Sequence, residues 1–229
     1  MSDFSQLPGI VTAIGGLGTA AFGLVDASKV VAFGPIGINH IGFSGIKRTV
    51  MPLIPAGGAN ALPRKNVIET LKANWFNGTD LTSQKAIAKS LIKLNLSPEN
   101  AEAVANVTGV DPAILLQAAK DMAAGRSLVS PQSDVYARFD LIVTALLDET
   151  YQRADNNYRN WTRGIAAMVA IALAIFAGCA INQQFPLQTP IRTWQSVLVG
   201  LLATPLAPIA KDLSSALATA VNTMQKVKK

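Results

Sequence analysis

The 229-residue chain has one cysteine and one histidine, and those two counts remove whole classes of chemistry. No disulfide can close within it, and neither a Cys₄ nor a Cys₂His₂ zinc site can be assembled. Charged residues make up only 15% and aromatic residues 6%, against 50% hydrophobic side chains. At a mean hydropathy of +0.31, that is too little charge for an ordinary water-soluble domain. The leading MSDFSQLPG holds Asp3 and no lysine or arginine. The positive region that opens a cleavable signal peptide is therefore missing, and the apolar stretch after it is expected to be retained. No nucleophile–base pair stands out, and GPIGINHIGFSG does not match the phosphate-binding glycine patterns. The chain reads as no enzyme, with no cofactor and no metal.

What it does have is apolar length. Gly164 to Ile181 is an uncharged stretch of about 18 residues, close to what a helix needs to cross a ~30 Å hydrocarbon core. Arg153, Arg159 and Arg163 precede it with Tyr158 and Trp161 among them, the basic and aromatic collar of a membrane boundary. Pro8 to Val25 is a second such stretch, rich in glycine; in lipid the backbone has no other partner, so a helix is still expected. Trp194 to Ala210 is a third, ending at Lys211 and Asp212, with Pro205 and Pro208 expected to bend it. An amphipathic helix over Leu213 to Met224 could follow.

The basic residues set an orientation. Lys29, Lys47 and Arg48 follow the first stretch, three arginines precede the second, and Lys211 and the lysine tail follow the third. All fall on one side if the N-terminus is outside and the C-terminus is cytoplasmic. The net charge of +6 is thus spread over membrane boundaries rather than gathered into one run, and no nucleic-acid partner is expected.

The sequence therefore predicts an all-α integral membrane protein with three transmembrane helices and a small helical cytoplasmic domain. Its divisions are residues 1–56, an N-terminal span with a Gly-rich segment; 57–160, the helical domain; and 161–229, a transmembrane hairpin with a basic tail. Within the helical domain, helices are expected over Arg64 to Phe76 and Thr82 to Leu94, with further starts at Ser97-Pro98, Asp111-Pro112 and Ser130-Pro131. The last carries an apolar stripe of Val135, Phe139, Ile142, Val143, Leu146 and Leu147. Nothing from Ser133 to Ile181 breaks it, so the second span should continue one long cytoplasmic helix of about 75 Å. The acids Asp134, Asp140, Asp148, Glu149 and Asp155 are expected on its solvated face.

Small residues recur every fourth position in two spans: Gly15, Thr19, Gly23 and Ala27, then Ala166, Ala170, Ala174 and Gly178. That spacing lines one helix face and permits close packing or self-association, although Ala-rich spans also produce it by chance. Asp26 and Lys29 stand close enough for an ion pair at the inner end of the first span, read either as charges on an ion or proton path or as a paired terminus at the headgroup interface. Val30 to Ile46 is apolar but punctuated by glycine, and could be interfacial, re-entrant or spanning. Its Asn39 and His40 could line a pore or sit at an interface. Trp194 and Lys211 mark the third stretch's boundaries, and Cys179 reads as a small packing residue.

Laid out in order, the chain resembles a loosely defined set of bacterial inner-membrane proteins of unknown function. The residues that carry this are Met51-Pro52-Leu53-Ile54-Pro55, then Asp148 to Arg153 with Tyr158-Arg159-Asn160-Trp161, and finally Gly200 with Ala207-Pro208. In that set Ala-Pro usually leads into aromatics and a leucine; here it runs on to Ile209-Ala210-Lys211-Asp212-Leu213. The resemblance implies topology and an inner-membrane location, and no activity. Two functions are compatible with these features: a self-associating membrane scaffold or anchor that presents its helical domain to a cytoplasmic protein partner, or a channel or membrane-permeabilising protein.

Overall fold

The structure, a computed structural model, describes residues 7–30, 39–56, 62–184 and 190–209. It is all-helical, with no strand among the described residues. The helices are α1 (Leu7–Val30), α2 (Asn39–Leu53), α3 (Arg64–Phe76), α4 (Leu81–Asn95), α5 (Ala101–Thr108), α6 (Pro112–Ala123) and α7 (Gln132–Gln184), followed by α8 (Thr193–Ile209). Two of them, α1 over Gly9–Ala27 and the 53-residue α7, are long and apolar enough to cross a membrane; α8 is apolar but shorter.

Helix boundaries follow from local chemistry. Asp80 caps α4 by accepting from Ser83 N at 2.9 Å, and Asp111 caps α6 by accepting from Ile114 N at 3.0 Å with Pro112 in the first turn. Gly109 ends α5 in the left-handed region at φ 66°, its N–H donating to Ala105 O. The expected start at Ser97-Pro98 is not used. Residues 97–100 form a turn closed by Asn100, which accepts from Ser97 N at 2.8 Å and donates to Asn95 O at 2.6 Å, so α5 begins at Ala101. The expected long helix is continuous, and α8 runs through Pro205 and Pro208 uninterrupted.

The chain divides into two compact units, one of residues 1–38 and 159–229 and one of residues 39–158. The first division lies well before residue 56. Residues 39–46, the second half of the Gly-rich Val30 to Ile46 segment, are part of α2 and belong to the helical unit, whereas residues 31–38 lie outside the described residues. The reason is visible in the spacing of Phe43, Ile46, Val50 and Leu53. All four are buried in the helical unit's core, one stripe of an amphipathic helix. Opposite them lie Val67 and Leu71 of α3, Ile92 of α4, Val104 of α5, Leu115 of α6, and Phe139, Val143, Leu147 and Tyr151 of α7. Burial pushes the Tyr151 hydroxyl up from its ordinary value, keeping it neutral.

Candidate functional site

The unit of residues 1–38 and 159–229 is built in the reverse order of size. Its buried positions are mostly small: Ala21 in α1, Ala166, Ala170 and Ala174 in α7, and Ala203 and Ala207 in α8, with Val25 of α1 a larger one beside them. Ile14, Leu17, Val169 and Leu173 pack partly buried against these alanines, and many other large apolar side chains point outward. Phe176 is 75% exposed and Met168 60%, with Ile10, Leu24, Leu198, Leu201, Leu202 and Ile209 exposed as well.

Glycines set the closest approaches. A Cβ on Gly18 would fall on the Ala203 carbonyl, 2.6 Å from its carbon. One on Gly200 would lie 2.8 Å from Ile171 N, and one on Gly178 would overlap the Ser196 hydroxyl. Real Cβ atoms do not approach so closely, so α1 packs on α8, and α8 on α7, by virtue of glycine at those points.

The two predicted small-residue stripes fare differently. Ala166, Ala170, Ala174 and Gly178 are all buried. In α1 only Gly15 is buried; Thr19, Gly23 and Ala27 are exposed. The buried face of α1 is instead Gly15, Gly18, Ala21 and Val25, which follows the i+3/i+4 ridge rather than a strict i+4 row. Thr19 turns its hydroxyl back to donate to Gly15 O at 3.0 Å, as hydroxyl residues in apolar helices do.

One positioning residue has no sequence motif to announce it. Asn182, at the end of α7, donates to Ile191 O and accepts from Ile191 N, both at 2.8 Å. Arg192 N then donates to Gln195 Oε1 at 2.9 Å in the first turn of α8. These bonds tie the end of α7 to the start of α8 and satisfy backbone groups there.

Trp161 and Trp194 are each 55% exposed, Arg159 and Arg163 are exposed, and Arg153 pairs with Glu149 at 2.6 Å along α7. Asp26 is exposed. The side chains of Lys29 and Asn39, and all of Lys211, lie outside the described residues, so the Asp26–Lys29 pair does too. His40 packs edge-on against Phe76 at 5.0 Å within the helical unit. Cys179 is exposed, a correction to its reading as a packing residue: it falls beside the buried Gly178 on the outward side of α7.

Of the acids of α7, Asp134, Asp148 and Glu149 are exposed, as expected of a solvated face, and Asp140 and Asp155 are half-buried. Lys85, Lys89 and Lys93, one turn apart on α4, meet Asp148 and Asp140 of α7. Lys85 pairs with Asp148 at 2.6 Å, and Asp140 takes Lys89 at 2.6 Å and Lys93 at 3.0 Å. Burial alone would raise the Asp140 carboxyl, but the hydrogen bonds from Lys89 and Lys93 outweigh it and hold the group below its ordinary value. The same contact with Asp140 raises Lys93.

A pH dependence follows. A carboxyl depressed in the folded state contributes stability above its unfolded value of 3.8 and loses it as pH falls through the folded value. Asp140→Asn should therefore cost the helical unit ~1 kcal/mol at neutral pH. The gap between variant and wild type should close below pH 3.8, measured by urea unfolding at stepped pH. A gap that persists unchanged in acid would show that the pair is not the source.

No protein family, curated protein or solved structure matches the chain.

Proposed function

We propose that this protein is a non-enzymatic membrane anchor or scaffold. Three helices, α1, the apolar part of α7, and α8, would hold it in the bilayer, and residues 39–158 would be presented to protein partners on the cytoplasmic side. The observation that carries the reading is the size order of the apolar unit: mostly alanine and glycine at its fully buried positions, with Leu24, Phe176, Leu198, Leu201, Leu202 and Ile209 exposed. In water the hydrophobic effect drives the large side chains inward. In lipid it does not distinguish the faces, and helices associate through close backbone packing between small residues. The basic residues on one side of the three helices support an N-out, C-in orientation in an inner membrane.

Self-association is the natural extension, because the unused α1 stripe of Thr19, Gly23 and Ala27 is outward-facing and a Cβ on Gly23 would meet nothing. Copies joined there would multiply weak docking contacts through avidity. Gly23→Ile is expected to abolish crosslinked dimers of the protein in membranes while leaving the monomer's own packing intact. Unchanged crosslinking, or a wild type that is strictly monomeric and recovers no partner, would remove this reading. Purified protein that makes liposomes leak ions would favour the channel alternative instead.

A further inference from the structure

The helical unit holds an open cleft of about 580 Å³ between α2 and α3, well within the size range of small-ligand sites. Its two walls are made by the helix faces adjoining the core stripe. From α2 come His40, Ser44, Lys47 and Met51, with buried Phe43 as the floor; from α3 come Arg64, Lys65, Ile68, Glu69 and Lys72. The composition is two-sided. Phe43, Met51 and Ile68 give a continuous apolar surface, and methionine in such a place adapts to irregular chains. Around it stand four cations against the single carboxylate of Glu69.

The charge is not cancelled within the cleft. Glu69 reaches Lys65 only at 3.8 Å, with both side chains largely exposed, a separation worth little in water. Lys72 lies 5.1 Å over the Phe76 ring, an interaction that keeps its positive charge in place. Arg64 is fixed at the cleft's end by its Nε bond to Ile54 O at 3.0 Å, which uses one of a guanidinium's five N–H donors. An apolar trough ringed by preplaced cations is complementary to one kind of molecule.

We infer that this cleft binds an anionic amphiphile, its hydrocarbon chain lying on Phe43, Met51 and Ile68 and its carboxylate or phosphate held by Lys47, Arg64, Lys65 and Lys72. The chemistry requires both halves. A bare phosphate would have to exchange its hydration for exposed lysines, and a neutral amphiphile would gain nothing from the cations. This assignment rests on the helical unit alone and does not depend on the scaffold reading.

The test is lysine footprinting by mass spectrometry on the full chain held in an uncharged amphipol, with octyl phosphate as probe. Octyl phosphate should slow acylation of Lys47, Lys65 and Lys72 several-fold and leave Lys120, which lies outside the cleft, unchanged. Inorganic phosphate and octyl glucoside at the same concentration should protect none of them. Lys47→Gln, a change at an exposed position, should weaken protection of Lys65 and Lys72 about tenfold in probe concentration, one charge-assisted contact's worth. Equal protection by inorganic phosphate would reduce the cleft to a plain anion site, and equal protection by octyl glucoside to a plain apolar groove. Either result, or protection that spreads to Lys120, or none at all, overturns the assignment.

Discussion

Gly18→Ala and Gly200→Ala are each expected to destabilise the packing of the apolar unit by ~1–3 kcal/mol, the cost of forcing volume into a filled site. The added methyl at residue 18 would collide with the Ala203 carbonyl and that at residue 200 with the backbone of Ile171. Neither obstacle is the movable end of a side chain. Helices would have to separate, and with them the contacts of Ala21, Ala170 and Ala203 that form the unit's centre. Gly16→Ala provides the contrast, since a Cβ there meets nothing within 4 Å. It should be neutral or slightly stabilising, because alanine is the better helix former. SDS titration followed by tryptophan emission reads all three. Equal behaviour of the three variants would mean that the close approaches at Gly18 and Gly200 are not what holds the unit together.

Phe139→Ala should cost the helical unit ~3–5 kcal/mol, because a fully buried ring leaves a cavity that its neighbours cannot refill. Phe139 is 0% exposed and lies in one cluster with Val143, Leu147 and Tyr151 of its own helix and with residues of all five shorter helices of the unit. Leu141, two residues along α7, is 69% exposed, and Leu141→Ala should stay within ~0.5 kcal/mol of wild type. Urea unfolding monitored by circular dichroism distinguishes them. Similar midpoints for the two variants would refute the assignment of the inward face.

How much of this was legible in the sequence varies with the kind of signal. The bounds of α3 were readable at both ends, because Pro63 precedes it and Asn77-Gly78 follows it, and α7's inward stripe could be counted off from Val135 to Leu147. Capping by Asp111 was visible because Asp-Pro is a local signal. Ser97-Pro98 carried the same signal and failed, since Asn100 competes for the backbone by bonding both Ser97 and Asn95. The glycines of residues 39–46 concealed α2, whose identity comes from Phe43 and Ile46 finding a core supplied by residues far along the chain. The face of α1 that packs within the unit was not legible for a related reason. A period-four row of small residues is a property of one helix, whereas the packed row of Gly18 and Ala21 was chosen by where α8 presents Ala203. The Asp140–Lys89–Lys93 cluster and the Asn182–Ile191 clasp depend on elements meeting in space, and neither leaves a local motif.

Membrane anchorage with the N-terminus outside is the central claim, and single-cysteine labelling of intact spheroplasts tests it most directly. In a Cys179→Ser background, Gln184→Cys should react with a membrane-impermeant maleimide from outside, while Gln132→Cys should react only after the membrane is opened. The reverse pattern would invert the topology, and equal labelling of both positions before and after permeabilisation would contradict membrane anchorage itself.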